Sequence, residues 1–352
     1  MTVSPAPEPL RIPESTPDGA AQWIEYYYSR GWSDGLPLVP PTEASVQAML
    51  AAGGFAGGEV LGRLNDRNAS APVEKVAVNA VMAGCLPSYF PVVAAAVRGL
   101  FHPDFDYHGP ASSTGGSALV IIVSGPISGQ LHINAADNAF GSGCRANATI
   151  GRAVRLVMMN LLKARPGLLD RATLGTPGKY SFCFAEFDAD APWEPLHVER
   201  GLAPEQSAVT IYACNSQLGI YNQLAGEPEP LLLQFADALC NLASPNVRGF
   251  NENLVVMAGE HAQVIRKAGW TKRRVQEFLL EHARRRVADF KRAARLPGAI
   301  KPEDEHTWRY VMEKPEDVIL IRAGGMAGSW SAVLPGWGKK WTRSITTALD
   351  LP

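Results

Sequence analysis

Glu260 and His261 stand side by side directly after an apolar run, Asn253 to Ala258, that reads as a buried strand. Ligands in α/β sheets collect beyond the carboxyl ends of strands. An adjacent carboxylate and imidazole suit proton transfer there, because histidine titrates near neutrality and a carboxylate can orient it. Both are expected to be catalytic. A second concentration of chemistry lies in Gly141-Ser142-Gly143-Cys144-Arg145-Ala146-Asn147-Ala148-Thr149-Ile150-Gly151-Arg152. A glycine-bearing turn opens a helix in this run, and the first helical turn presents free N–H groups and a positive dipole end. Ser142, Arg145, Asn147, Thr149 and Arg152 are therefore expected to hold a carboxylate or phosphate. The run matches neither the G-x-G-x-x-G fingerprint nor a phosphate loop ending in GK[ST], so no nucleotide cofactor is expected.

Lys179 precedes a strand that contains Cys183 and Glu186, and it joins the catalytic set. Cys85 joins it as a candidate thiol at the end of a helix, where it would need a cationic neighbour. Cys144 sits at a helix start, where thiol pKa values fall, although a small buried filler suits it better. His102, Asp104, Asp106 and His108 alternate, so a strand would align them as metal ligands, but Pro103 interrupts the run. No metal site is assigned.

These residues need elements to position them. A helix is expected over Asp18–Arg30, followed by a rigid Trp32–Thr42 rod in which three prolines fix φ. Asp34 in that rod completes the substrate-binding set. Thr42 caps a helix, and Val73–Cys85 and Phe90–Leu100 form a helix pair broken at Pro87. Strands are expected at Ser117–Val123, Tyr180–Phe187, Ala208–Cys214, Asn253–Ala258 and Asp317–Arg322, and helices at Arg145–Leu162, Pro230–Leu242 and Lys272–Arg295. Their alternation implies an α/β fold: a mixed sheet with flanking helices and loop-rich, Gly/Pro-rich connections. Residues 1–17 read as a flexible arm. The remainder, 18–352, is one catalytic region with two possible subdomains, 18–205 and 206–352.

The chain has 352 residues, 33 glycines and 27 prolines, and a formal net charge of −1. That balance offers no global field for nucleic acid. Twelve basic residues do fall between Arg266 and Lys301, but Glu277, Glu281 and Asp289 lie among them, so a solvated or subunit-facing helix is expected. No apolar run reaches a membrane span. The first residues lack a basic n-region and an apolar core, and the five cysteines contain no CxxC pair. A cytoplasmic protein with free thiols, and a homo-oligomer, is expected.

Several strings together resemble an uncharacterised bacterial family. They are Gly31-Trp32-Ser33-Asp34-Gly35-Leu36-Pro37-Leu38-Val39-Pro40-Pro41-Thr42, Ala77-Val78-Asn79-Ala80-Val81-Met82-Ala83-Gly84-Cys85 and Arg145-Ala146-Asn147-Ala148-Thr149-Ile150-Gly151-Arg152. Gly178-Lys179-Tyr180, Pro192-Trp193-Glu194-Pro195-Leu196-His197, Glu260-His261-Ala262 and Gly269-Trp270 fit as well. The family is similar in context to proteins with a UGSC motif, which carry a selenocysteine or cysteine. The resemblance implies an enzyme subunit, one that could work beside a thiol-bearing partner. Cys144 departs from the polar, non-thiol residue expected there. Three functions are open: acid–base lyase, hydratase or hydrolase chemistry on a small organic anion; a component of a thiol-dependent reductase using Cys85; or a non-catalytic assembly subunit.

Overall fold

Val120, Ile121, Ile122 and Val123 are buried on both faces of their strand. A strand covered on both sides must lie between two apolar layers, and this requirement organises the molecule. The computed structural model describes residues 19–244, 246, 249, 251–338 and 342–349. The expected arm, residues 1–17, lies outside them. The helices are α1 Ala20–Ser29, α2 Glu43–Ala52, α3 Val73–Ala83, α4 Phe90–Gly99, α5 His108–Ser112, α6 Ile127–Gln130, α7 Arg145–Asn160, α8 Leu196–Glu199, α9 Pro228–Leu239, α10 Gly259–Lys267, α11 Lys272–His282 and α12 Val287–Arg292. The strands are β1 Val60–Leu64, β2 Ala69–Pro72, β3 Ala118–Ser124, β4 Cys183–Ala185, β5 Ala208–Cys214, β6 Leu218–Tyr221, β7 Asn253–Met257, β8 Arg284–Arg286, β9 Trp308–Tyr310, β10 Val318–Arg322, β11 Trp330–Pro335 and β12 Ile345–Ala348.

Two four-stranded sheets, ordered β12-β5-β3-β4 and β10-β7-β11-β6, lie face to face. Side chains alternate along each strand. Val120 and Ile122 of β3 and Tyr212 of β5 meet Leu254 and Val256 of β7, Ile319 and Ile321 of β10 and Leu334 of β11 between the sheets. The Tyr212 hydroxyl donates across this layer to the Leu334 carbonyl, 2.8 Å away. The intervening residues point outward. Ile121, Val123 and Ile211 pack under α2, α3, α4 and α7. Val255, Met257, Leu320 and Val333 pack under α9, α10 and α11. The fold is α/β, with mixed sheets and flanking helices in four layers.

The two sheets repeat one topology. From β3 the chain passes through α6 and α7 to β4, which lies parallel beside it, and β5 returns antiparallel on the other side of β3. From β7 it passes through α10 and α11 to β10, parallel beside it, and β11 returns antiparallel on the other side of β7. Then the chain crosses over. β6 follows β5 but pairs with β11, and β12 follows β11 but pairs with β5. The expected division into 18–205 and 206–352 is corrected by this crossing, because it would detach β5 and β12 from β3 and β4.

One expected element splits. The helix over Lys272–Arg295 ends at His282, and Arg284–Arg286 forms β8, antiparallel to β9. Successive strand residues face opposite ways, which separates the three cations. Arg284 and Arg286 stack on Trp308 at 4.9 and 5.6 Å, while Arg285 turns to Asp237 at 2.6 Å. The expected Tyr180–Phe187 strand shortens to Cys183–Ala185. His102 and His108 flank a 3-10 turn and open α5, so they do not share a strand face with Asp104 and Asp106. Among the described residues, no group of three or more His, Cys, Asp or Glu is arranged to hold a metal ion. No helix among them is long and apolar enough to cross a membrane.

Candidate active site

A cavity of about 440 Å³ opens between the second half of α7 and the segment joining α7 to β4. Helical spacing puts Arg155 and Met159 on its wall. Gly167, at φ +80°, turns the chain so that its N–H meets the Asp170 carbonyl at 2.9 Å, and this tight reversal presents the Asp170 carboxylate. Pro177 opens the 3-10 turn Pro177–Lys179, which brings Lys179 to the same place. Asp34 and Tyr180 also line the cavity.

Lys179 Nζ donates to both Asp170 oxygens at 2.7 Å. Arg155 Nη2 donates to Asp170 Oδ2 at 2.9 Å. One carboxylate therefore holds two cations, a local excess of one positive charge. Burial by itself would raise the Asp170 carboxyl pKa. The bonds and charges of Lys179 and Arg155 outweigh it and hold the group below its ordinary value. Burial lowers the Lys179 pKa, with Arg155 acting in the same direction, while Asp170 opposes both. Arg155 makes no further hydrogen bond among the described residues, which leaves most of its five N–H donors for a ligand. Behind the cavity, two voids of about 10 and 20 Å³ are lined by Arg155, Lys179 and Ser117. The buried Ser117 hydroxyl has no hydrogen-bond partner among the described residues. The arrangement can bind a carboxylate on Arg155 and move a proton through Lys179.

Of the residues expected to do chemistry, Lys179 and Asp34 meet here. The others are placed elsewhere, and their contacts correct the expectation. Arg145 donates through Nε and Nη2 to the Gly84 carbonyl at 3.1 and 2.9 Å, closing the end of α3. Asn147 is buried and clamps the preceding loop, accepting from Asn134 N at 2.8 Å and donating to Asn134 O at 3.0 Å. Thr149 bonds back to Arg145 O within the helix. Ser142 is exposed, and its carbonyl accepts from Asn138. Arg152 grips Asp34 with two bonds of 2.8 Å and also reaches the Leu36 and Pro37 carbonyls. The expected anion site at the start of α7 is thus a set of braces that hold the rod, α3 and the loop to one helix.

Glu260 and His261 separate. His261 Nε2 lies 3.0 Å from the Asn222 carbonyl, which can only accept, so Nε2 carries the hydrogen. Nδ1 then accepts from the Ser331 hydroxyl at 2.7 Å. Ser331 shares the helix-facing side of β11 with Val333, and His261 packs edge-on against Phe235. Burial lowers the imidazole pKa, and both ring nitrogens are taken by these hydrogen bonds. Glu260 turns away and accepts from the Ser329 hydroxyl. The two side chains do not form the expected acid–base pair: both nitrogens of His261 are engaged, and Glu260 bonds to Ser329 instead. Cys85 is buried and donates to Thr149 O at 3.3 Å, and burial pushes its thiol up to about 12. A nucleophilic Cys85 is corrected on that ground. Cys144 donates to His132 O.

Arg155 and Asp170 escaped the sequence reading. Arg155 looked like one more polar position on an amphipathic helix, and Asp170 lay in a loop without a motif. The usable signal was the Leu168–Lys179 stretch, where an acid, one proline, two glycines and a lysine fall within one loop-length of α7. No family model, curated protein or solved structure matches this chain.

Proposed function

We propose that this chain is an enzyme acting on a small, carboxylate-bearing substrate in the Lys179 cavity, by acid–base lyase, hydratase or hydrolase chemistry without a nucleotide cofactor. The observation that carries the reading is the Lys179–Asp170–Arg155 triad on the wall of a 440 Å³ cavity. Arg155 would take the substrate carboxylate in its planar fork. Lys179, kept protonated and oriented by Asp170, would act as the general acid toward a departing or newly charged oxygen. Desolvation has already weakened its hold on that proton. A thiol-dependent role has less support, since Cys85, Cys183, Cys214 and Cys240 are all buried.

The test is turnover against a panel of hydroxy acids, unsaturated acids and carboxylic esters. Lys179→Met is expected to lose about a hundredfold or more in kcat, while Arg155→Gln raises KM for carboxylates and leaves neutral esters less affected. Turnover unchanged in both variants, with native circular dichroism, would remove the proposal.

A further inference from the structure

A second cavity of about 400 Å³ lies where the carboxyl ends of β7 and β10 face the turn Asp137–Gly141. We propose that it is a separate binding site for a small organic ammonium ion, a role distinct from the anion chemistry of the Lys179 cavity. Charge is the first argument. Asp137 is the one charged side chain among its lining residues. Arg322, at the end of β10, is engaged by Asp190 at 3.0 Å, by the Gly324 carbonyl and by the Phe187 ring at 4.8 Å. Glu260, at the start of α10 and outside the lining, accepts from Ser329 of the β10–β11 connection. An anion would meet repulsion here and no basic donor.

The second argument is an aromatic platform. Trp330 lines the cavity and is 57% exposed, a large hydrophobic area for an indole to leave in water. It is held in place from two sides. Tyr221, its cross-strand partner on β6, lies 4.8 Å from it at an interplanar angle of 31°. Gly219 on the same strand lets the ring lie against the backbone, since a Cβ there would stand 3.3 Å from it. The exposed part of the ring leaves indole π surface at the cavity, and indole is the strongest natural cation–π acceptor.

The remaining wall selects the body of the ligand. Ala139, Phe140, Val256, Ala258, Ala323 and Ala332 are apolar. Asn138, Gln217 and Ser331 add neutral polar groups to the lining, so glucose is the control that separates a polyol from a cation. An alkylammonium brings one charge for Asp137 and Trp330 and an otherwise apolar body for the wall.

Calorimetric titration of the full chain with choline, tetramethylammonium and n-butylammonium chlorides tests this, with glucose, acetate and sodium chloride as controls at matched ionic strength. Saturable binding of the ammonium probes alone is expected. Trp330→Leu and Asp137→Asn should each weaken it by about tenfold, and Gly219→Val should weaken it by lifting the indole. Should Trp330→Leu fail to fold, Asp137→Asn, on an exposed turn, decides the matter by itself. No saturation by any ammonium probe, preference for glucose or acetate, or full affinity in Asp137→Asn would each overturn the site.

Discussion

Glu186 ends β4 inside the protein, wholly buried. Its Oε2 accepts from the Ser124 hydroxyl at 2.9 Å and from Leu196 N at 2.8 Å, while Oε1 has no hydrogen-bond partner among the described residues. Burial pushes its pKa from 4.5 to about 7, against the opposing charge of Lys272. A carboxyl whose folded pKa is raised stabilises the fold fully below its unfolded value and loses that contribution as pH climbs to the folded one. Between those values the folded chain keeps a proton that the unfolded chain releases, and the loss amounts to about 3 kcal/mol in full. Glu186→Gln should therefore flatten the melting temperature between about pH 5 and about pH 8 and raise it at the upper end. An unchanged slope would show that the proton is held elsewhere. At this scale the sequence was least legible. Residue type marked His261, Glu260 and Cys85 as reactive, but a type does not reveal whether Ser331, Ser329 or Thr149 has already taken its hydrogen bonds.

The braces on α7 act at the scale of elements. Asp34 and Arg152 are both largely buried, with side-chain exposures of 4% and 15%, and their two bonds of 2.8 Å fasten the proline rod to the middle of α7. Removing one partner leaves the other charge buried and alone. Arg152→Met is thus expected to cost about 3 kcal/mol in urea unfolding. Arg152→Lys should recover little of that, because an ammonium cannot reproduce the fork. A cost under about 1 kcal/mol would place this pair among surface ion pairs. The elements themselves were largely legible. Thr42 caps α2 with Ser45 in a reciprocal pair, Gly84 closes α3, and the apolar run of β3 is a central strand. The failures share one cause. Arg284–Arg286 continues a helical charge pattern in sequence, yet its partners, Trp308 and Tyr310, are more than twenty residues away and favour a strand. β6, β11 and β12 are short strands whose pairing is equally remote.

For the whole molecule, the decisive feature is the exchange of fourth strands. Each half builds three strands of one sheet and sends its next strand to the other: β6 leaves to join β11, and β12 leaves to join β5. Local pattern cannot announce such a crossing, because β6 and β12 are each four residues long and pair antiparallel with strands formed far away. The crossing has a measurable consequence. A chain cut between residues 205 and 206 leaves β3 without β5, so an open strand edge and the apolar faces of Val120 and Ile122 meet water. The second fragment keeps β5 and β12 as a pair with no sheet to complete. Residues 18–205 and 206–352 expressed alone should therefore lack a cooperative thermal transition and aggregate. Expressed together, they should recover one transition and co-purify in a one-to-one ratio, since every pairing of the intact sheets can still form. A cooperative transition and native near-ultraviolet dichroism from 18–205 by itself would show that β3 and β4 need neither β5 nor β12. The two sheets would then be independent domains rather than one interlaced body.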